Sequence, residues 1–246
     1  MQYSIQEHYQ KLANQYDDFW ANSSEFIDFL SQAIIEHLQL KITDILVDLG
    51  CGTGIYGKAI RTQINLENKI ICVDPSDKML EKIPNNTYYQ TVVKDAVKFA
   101  NEPGKYDKIL IKEMIHHIND KEKLLTGLFD RLNKQGILLI ILLPPTIEYP
   151  LFQQALSVYE SVQPHYNNLV NLCENIGFKT TVNFIDYNVS ISKEKYFNMV
   201  SNRYMSLLSR FNDKELNQGL QEMEEKYTNI SNLEFCDRFV FLVAKK

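Results

Sequence analysis

The stretch Ile45–Leu46–Val47–Asp48–Leu49–Gly50–Cys51–Gly52–Thr53–Gly54, running on into Ile55–Tyr56–Gly57–Lys58–Ala59–Ile60, decides the fold. Apolar residues at four of the five positions before Gly50 read as a buried strand with one carboxylate near its end. A Gly-x-Gly-x-Gly turn follows, and the apolar positions beyond it change to helical spacing. The stretch is therefore a strand, a tight turn and a helix whose first free amides face whatever binds there. Gly50 lets the chain turn, Gly52 lets a ligand approach the backbone, and Gly54 permits close helix–strand contact.

The spacing differs from the nicotinamide fingerprint, which places two residues before its last glycine. Asp48 argues the same way, since it would repel a pyrophosphate but suit the cationic end of a ligand. A structural turn in some other open sheet is the plain alternative. Lys69–Ile70–Ile71–Cys72–Val73–Asp74 is a second strand ending in a carboxylate. Asp74 lies roughly twenty positions past the turn, where an acidic side chain takes the hydroxyls of a ribose and disfavours a phosphorylated one. Together these pieces describe a site for a nucleoside without phosphate and with a positive group.

The run Asp48–Leu49–Gly50–Cys51–Gly52–Thr53–Gly54 and the acidic strand end at Asp74 resemble those of class I S-adenosylmethionine-dependent methyltransferases. The resemblance is nearest to the small-molecule branch that includes the ubiquinone/menaquinone-biosynthesis enzymes, and it covers about residues 1–145 well. It implies an α/β, Rossmann-like fold: a seven-stranded, mostly parallel sheet in the order 3-2-1-4-5-7-6 with helical cap elements. The implied cofactor is S-adenosyl-L-methionine, with S-adenosyl-L-homocysteine as product. Residues 1–40 are expected to form an N-terminal helical lid and residues 41–246 the methyltransferase domain, with substrate-cap insertions at about 146–163 and 192–229.

At 246 residues the chain is long enough for a full core, and its 45% hydrophobic and 23% charged residues are ordinary for a globular protein. The net charge of −5 and the dispersed basic residues speak against a nucleic-acid partner. Cys51, Cys72, Cys173 and Cys236 follow no ligand spacing and read as free thiols in a reducing compartment. No cationic-then-apolar leader is visible, and the longest apolar run, Ile137–Leu143, suits a central strand rather than a membrane span. The expectation is a cytoplasmic protein without membrane contact, monomer or homodimer.

Along the chain, Tyr9, Tyr16, Phe19 and Trp20 form an aromatic stripe at helical spacing. The resemblance places Tyr16 over the cofactor and acceptor, near the sulfonium; plain core packing is the alternative. A helix is expected over Phe26–Leu40, capped by Ser23 or Ser24. After Asp74, the resemblance sets Pro75, Ser76 and Met79 beside the adenine. Strand Thr87–Val92 leads to Asp95, implied to accept from the adenine amino group, and Ala96, whose amide meets a ring nitrogen. Strand Gly104–Lys112 ends in Glu113–Met114–Ile115–His116–His117. Lys112 and Glu113 stand where the family usually has small or apolar residues. Cys51 and Lys112 complete the expected cofactor set, while His117, His116, Glu113 and Tyr16 are the candidate catalytic residues. The closeness of His116 and His117 fits no common metal spacing, so no metal is expected.

Beyond this, Gln135–Gly136 is expected to turn into strand Ile137–Leu143, stopped by Pro144–Pro145. That Pro-Pro is not the Asn/Asp-Pro-Pro signature of nucleobase and amide methylation, which belongs at the end of the fourth strand. Tyr149–Tyr166 precedes or merges with a helix ending near Gly177, and strands follow over Phe178–Ile191 and Leu233–Ala244. Arg203 and Arg210, in the intervening insertion, are structural or pair with an acceptor carboxylate. The function implied is methyl transfer to an oxygen, nitrogen or carbon atom of a small organic molecule by in-line displacement. The alternatives are an RNA- or protein-modifying methyltransferase and a non-catalytic S-adenosylmethionine-binding protein.

Overall fold

A computed structural model describes residues 23–246; the Tyr16 expectation and the aromatic stripe lie outside them. Helix α1 (Ser24–Leu38) is capped by Ser23, whose hydroxyl accepts from Phe26 N, and ends in a left-handed Gln39. Strand β1 (Leu46–Leu49) feeds α2 (Ile55–Gln63) through the glycine turn, and β2 (Ile70–Asp74) feeds the short α3 (Asp77–Leu80). Then come β3 (Tyr89–Val93), α4 (Ala96–Ala100), β4 (Tyr106–Lys112), a 3-10 turn at Ile115–His117, α5 (Lys121–Arg131) and β5 (Leu132–Leu142). The chain continues through α6 (Gln153–Val162), α7 (Tyr166–Ile176), β6 (Lys179–Ser192), α8 (Lys193–Ser201), a 3-10 turn at Ser206–Arg210, α9 (Asp213–Lys226) and β7 (Asn232–Lys245).

The sheet has seven strands in the order β3-β2-β1-β4-β5-β7-β6, as expected. β1 to β5 are parallel, and β7 runs antiparallel between β5 and β6. Alternation along the strands divides the interior in two. Leu46, Cys72, Leu110, Leu139, Ile141 and Phe241 face one layer with α1 and α2. Val47, Leu49, Ile109, Ile111, Leu138 and Leu242 face the other with α4, α5 and α7. Asp48, Lys112 and Asp237 therefore belong by parity to the first face, one that is otherwise apolar. The segments expected to act as caps share that face: Tyr149, Phe152, Tyr196, Val200, Leu208 and Met223 are buried in the same cluster as α1.

Two boundaries differ from expectation. β5 starts at Leu132, directly after α5, because Leu132 pairs with Tyr106 ahead of a register shift in β4. The aromatic stretch forms two helices, broken at Gln163–Pro164–His165. Proline lacks the amide a continuous helix needs and pushes Gln163 into an extended conformation. Arg203 pairs with Asp213 at 2.7 Å, which ties the start of α9 to the preceding loop. No described helix is long and apolar enough to cross a membrane.

Helices α4 and α5 touch through a glycine. A Cβ on Gly127 would stand 2.7 Å from the Ala100 carbonyl oxygen, a backbone atom that cannot swing away. Gly127→Ala is expected to cost about 1–3 kcal/mol of overpacking strain in urea unfolding. Thr126→Ala, one exposed position away, should change stability by no more than about 0.5 kcal/mol. Equal stabilities for the two variants would refute the close helix contact.

Candidate cofactor and acceptor cleft

The carboxyl ends of β1, β2 and β4 open on a cleft of about 370 Å³, within the range of small-molecule sites. Its floor is the glycine turn. Gly50, Gly52 and Gly54 all have positive φ, at 76°, 55° and 72°, and a Cβ on Gly52 would meet nothing within 4 Å. The three glycines of the turn thus have left-handed backbone, and its middle is open to a ligand. Gly54 is the N-cap of α2 and supplies no side-chain cap, so the first amides of that helix are left for another acceptor. Gly54 itself is buried against Ile83, where a Cβ would come within 2.8 Å, and it does not line the cleft.

Asp74 ties the turn to the next strand end. One oxygen accepts from Gly52 N and the other from Ser76 N, both at 2.9 Å. Burial raises its pKa and these two amide bonds oppose the rise. Asp48 is only 4% exposed, and a Cβ on Gly57 would stand 3.4 Å from its carboxylate. Burial, with the nearby Asp74 charge, pushes Asp48 up to about 7, while Lys112 pulls the other way.

Pro75, Ser76, Met79, Lys94, Asp95 and Ala96 form one wall. Asp95 is the N-cap of α4: one oxygen accepts from Lys98 N at 3.0 Å, which orients the side chain and leaves the other for a ligand. Lys94 pairs with Glu102 at the rim.

The opposite wall is Lys112, Glu113, Met114, His117 and Ile118. The Lys112 ammonium lies 4.6 Å from the Tyr56 ring centroid and 5.5 Å from that of Phe239. Burial would lower its pKa, but Tyr56, Glu113 and Asp237 outweigh that and hold it protonated. Glu113 has a φ of 51°, rare for a residue with a side chain. Its backbone amide donates to the Ile141 carbonyl and its carboxylate accepts from Leu143 N at 2.9 Å. Burial raises Glu113 to about 7, helped by Asp237 and opposed by Lys112.

The two histidines part company. His117 lines the cleft. His116 does not; its Nδ1 is buried with no hydrogen-bond partner, and its ring lies 4.0 Å from that of His117. Burial, with His117 and Lys121 nearby, depresses His116 to about 3, so it is neutral at physiological pH.

Of the sequence candidates, the cleft brings together Asp48, Gly50, Cys51, Gly52, Asp74, Pro75, Met79, Asp95, Ala96, Lys112, Glu113 and His117; Gly54 and His116 stand behind it. Tyr56 and Thr53 were not singled out, although helical spacing puts Tyr56 on the strand-facing side of α2. Asp237 also escaped notice, and Tyr149 was noted only as part of an aromatic segment. The Tyr149 hydroxyl donates to Asp237 at 2.5 Å, and both are buried, with Asp237 close to Lys112 and Glu113 of the cleft wall. Only the pairing of β7 on β5 brings Asp237 near Lys112, and no local pattern announces it.

Over residues 46–136 the chain matches a family described as a methyltransferase domain. The matched segment supplies the glycine turn, both strand-end carboxylates and the Lys112–His117 wall. The chain is 30% identical over 121 residues to an uncharacterized protein of Methanocaldococcus jannaschii, covering 49% of this chain and 44% of that one. It is 27% identical over 145 residues to carboxy-S-adenosyl-L-methionine synthase of Helicobacter pylori, covering 53% and 59%. The chain thus spans about half the length of the curated relatives it matches. Among solved structures, a SAM-dependent methyltransferase from Archaeoglobus fulgidus superposes with a TM-score of 0.59 at 16% identity, over 94% of this chain and 97% of that one. At that identity the likeness establishes the fold alone.

Proposed function

We propose that this protein is an S-adenosylmethionine-dependent methyltransferase acting on a small organic molecule. The observation that carries the reading is the single cleft joining the left-handed glycine turn, the uncapped start of α2 and the carboxylates of Asp48, Asp74 and Asp95. These residues fit the cofactor by their chemistry: an open backbone cradle, acceptors for ribose hydroxyls and an adenine amino group, and negative charge for a cationic tail. Bound there, S-adenosylmethionine supplies a methyl group already activated by a sulfonium.

Asp74 would hold the ribose while its two amide bonds keep the turn in place. Asp95 and the Ala96 amide would read the adenine edge, with Pro75 and Met79 against its faces. Asp48 would meet the methionine amino group, and Gly50, Cys51 and Gly52 would surround that end of the cofactor. Most of the acceleration expected of this chain comes from alignment and exclusion of water. The lid formed by the N-terminal 40 residues, Tyr16 among them, and the cap segments at about 146–163 and 192–229 would close the site. A base is needed only when the acceptor must lose a proton. Glu113, whose proton loosens near neutrality, is better suited to that than His116, which is buried and neutral. His117 would orient the acceptor.

The test is calorimetric titration of the purified protein with S-adenosylmethionine and S-adenosylhomocysteine. Micromolar binding of both is expected, and no binding of either by the folded protein would overturn the reading.

A further inference from the structure

Resting on that reading, we propose that the methyl acceptor is a small organic amine, held by Asp237 and Glu113 and relieved of its proton by Glu113. The argument begins with the charge of the cleft. Among the described residues, the carboxylates of Asp48, Asp74, Asp95 and Glu113 line the cleft with the Lys112 ammonium, and the buried Asp237 lies close to Lys112 and Glu113. Lys94 at the rim is already matched by Glu102. The cofactor bears a sulfonium, an ammonium and a carboxylate, so it brings one net positive charge. That leaves the cleft with negative charge uncompensated, and burying an uncompensated charge is costly. A cationic acceptor removes the deficit, whereas an anionic one deepens it.

The surplus lies on the acceptor side. Asp74 is committed to Gly52 N and Ser76 N, and Asp48 lies under α2 beside Gly57. Glu113 accepts from Leu143 N through one oxygen, and Asp237 from the Tyr149 hydroxyl through one oxygen. Each keeps a second oxygen for a ligand. The groups facing Glu113 are Lys112 on β4, Asp237 on β7, Tyr56 on α2, Tyr149 before α6 and Tyr159 on α6. Lys112 is one ammonium shared between these two carboxylates and the Tyr56 and Phe239 rings. The walls around the pair are aromatic: Tyr149 lies against Phe235 with centroids 5.0 Å apart, and Phe235 lies against Tyr196. Carboxylates set among aromatic faces favour an organic ammonium over a hydrated inorganic cation.

The chemistry balances without another reactant. The ammonium gives its proton to Glu113, and the freed nitrogen lone pair forms the new N–C bond as the S–C bond breaks. The sulfonium sulfur keeps that electron pair and becomes a neutral thioether. The proton leaves Glu113 to solvent when the product departs.

The experiment titrates the protein, saturated with S-adenosylhomocysteine, with matched sets of probes: benzylamine, benzyl alcohol and benzoate, and n-hexylamine, hexanol and hexanoate. At least one amine is expected to bind tenfold or more tightly than its matched alcohol and carboxylate. Asp237→Asn and Glu113→Gln should each reduce that amine affinity at least tenfold, with S-adenosylhomocysteine affinity changed less than twofold. With S-adenosylmethionine, homocysteine release should follow the same order. Failure of both amines to bind, equal or tighter binding of an alcohol or carboxylate, or amine binding untouched in both variants would overturn the proposal while cofactor binding stood. Absence of S-adenosylhomocysteine binding would instead overturn the methyltransferase reading beneath it. The Glu113 variant keeps the test open should the buried Asp237 variant fold poorly.

Discussion

Asp74→Ala should weaken S-adenosylmethionine binding by about a hundredfold or more. Two losses add in this variant. The ribose hydroxyls lose a charged acceptor, and each hydrogen bond to a charged group contributes about 1.5–3 kcal/mol. The glycine turn also loses its tether, since Gly52 N and Ser76 N both donate to this carboxylate. Two such bonds amount to about 3 kcal/mol at the low end, or roughly two decades in affinity. Asp74→Asn keeps an acceptor oxygen without the charge and should fall between the two. Calorimetry gives the affinities, and circular dichroism confirms that the variants are folded. A folded alanine variant with undiminished affinity would remove Asp74 from the cofactor site.

The ligand-free protein should lose stability as pH rises from about 5 to about 8. Unfolded carboxylates release their protons near pH 4. In the folded chain, burial raises Asp48 and Glu113 to about 7 and Asp237 to about 6. Between these limits the folded state binds more protons than the unfolded state, so each unit of rising pH favours unfolding. Below about pH 4 both states are protonated and the effect vanishes; above about pH 7 the penalty is complete. Asp48 faces Asp74 and Lys112, and Asp237 faces Tyr149, Tyr196, Tyr204 and Lys112. For these two deeply buried groups the combined loss is on the order of several kcal/mol. Urea unfolding at pH 5.5 and 8.0 measures it. Asp48→Asn should flatten the profile, and S-adenosylmethionine should restore more stability at pH 8.0 than at 5.5. A flat or rising profile in the wild-type chain would mean that these carboxylates are solvated.

How much of this could be read from the residues depended on sequence distance. The glycine turn, the strand end at Asp74 and the Ser76 and Ser23 caps are local patterns that the structure places as expected, and the strand order, which it also bears out, came only through the family resemblance. Gln163 and Pro164 carried a helix break in plain view, yet the aromatic periodicity on either side masked it. The acceptor side of the cleft was the least legible. Tyr149 and Asp237 bond across 88 positions, and their meeting requires the antiparallel register of β7 on β5, where Leu142 pairs with Val240. His116 and His117 look equivalent in the sequence; only the 3-10 turn sends one ring into the cleft and the other behind it. Lys112 looked like a departure from pattern, and its parity with Asp48 on the sheet face gives the reason for its placement.

The interior that α1 and α2 share with Tyr149, Phe152, Tyr196, Val200 and Leu208 has a consequence for how such a protein can diversify. A cap mounted on a hinge or linker can drift freely, because its contents are dispensable to the rest. Here the residues nearest the proposed acceptor position also fill the main hydrophobic interior, so selection would act on them twice. Retuning the pocket must proceed by volume-conserving exchanges or by paired substitutions, and a lineage with stability in reserve would explore new acceptors sooner than one without.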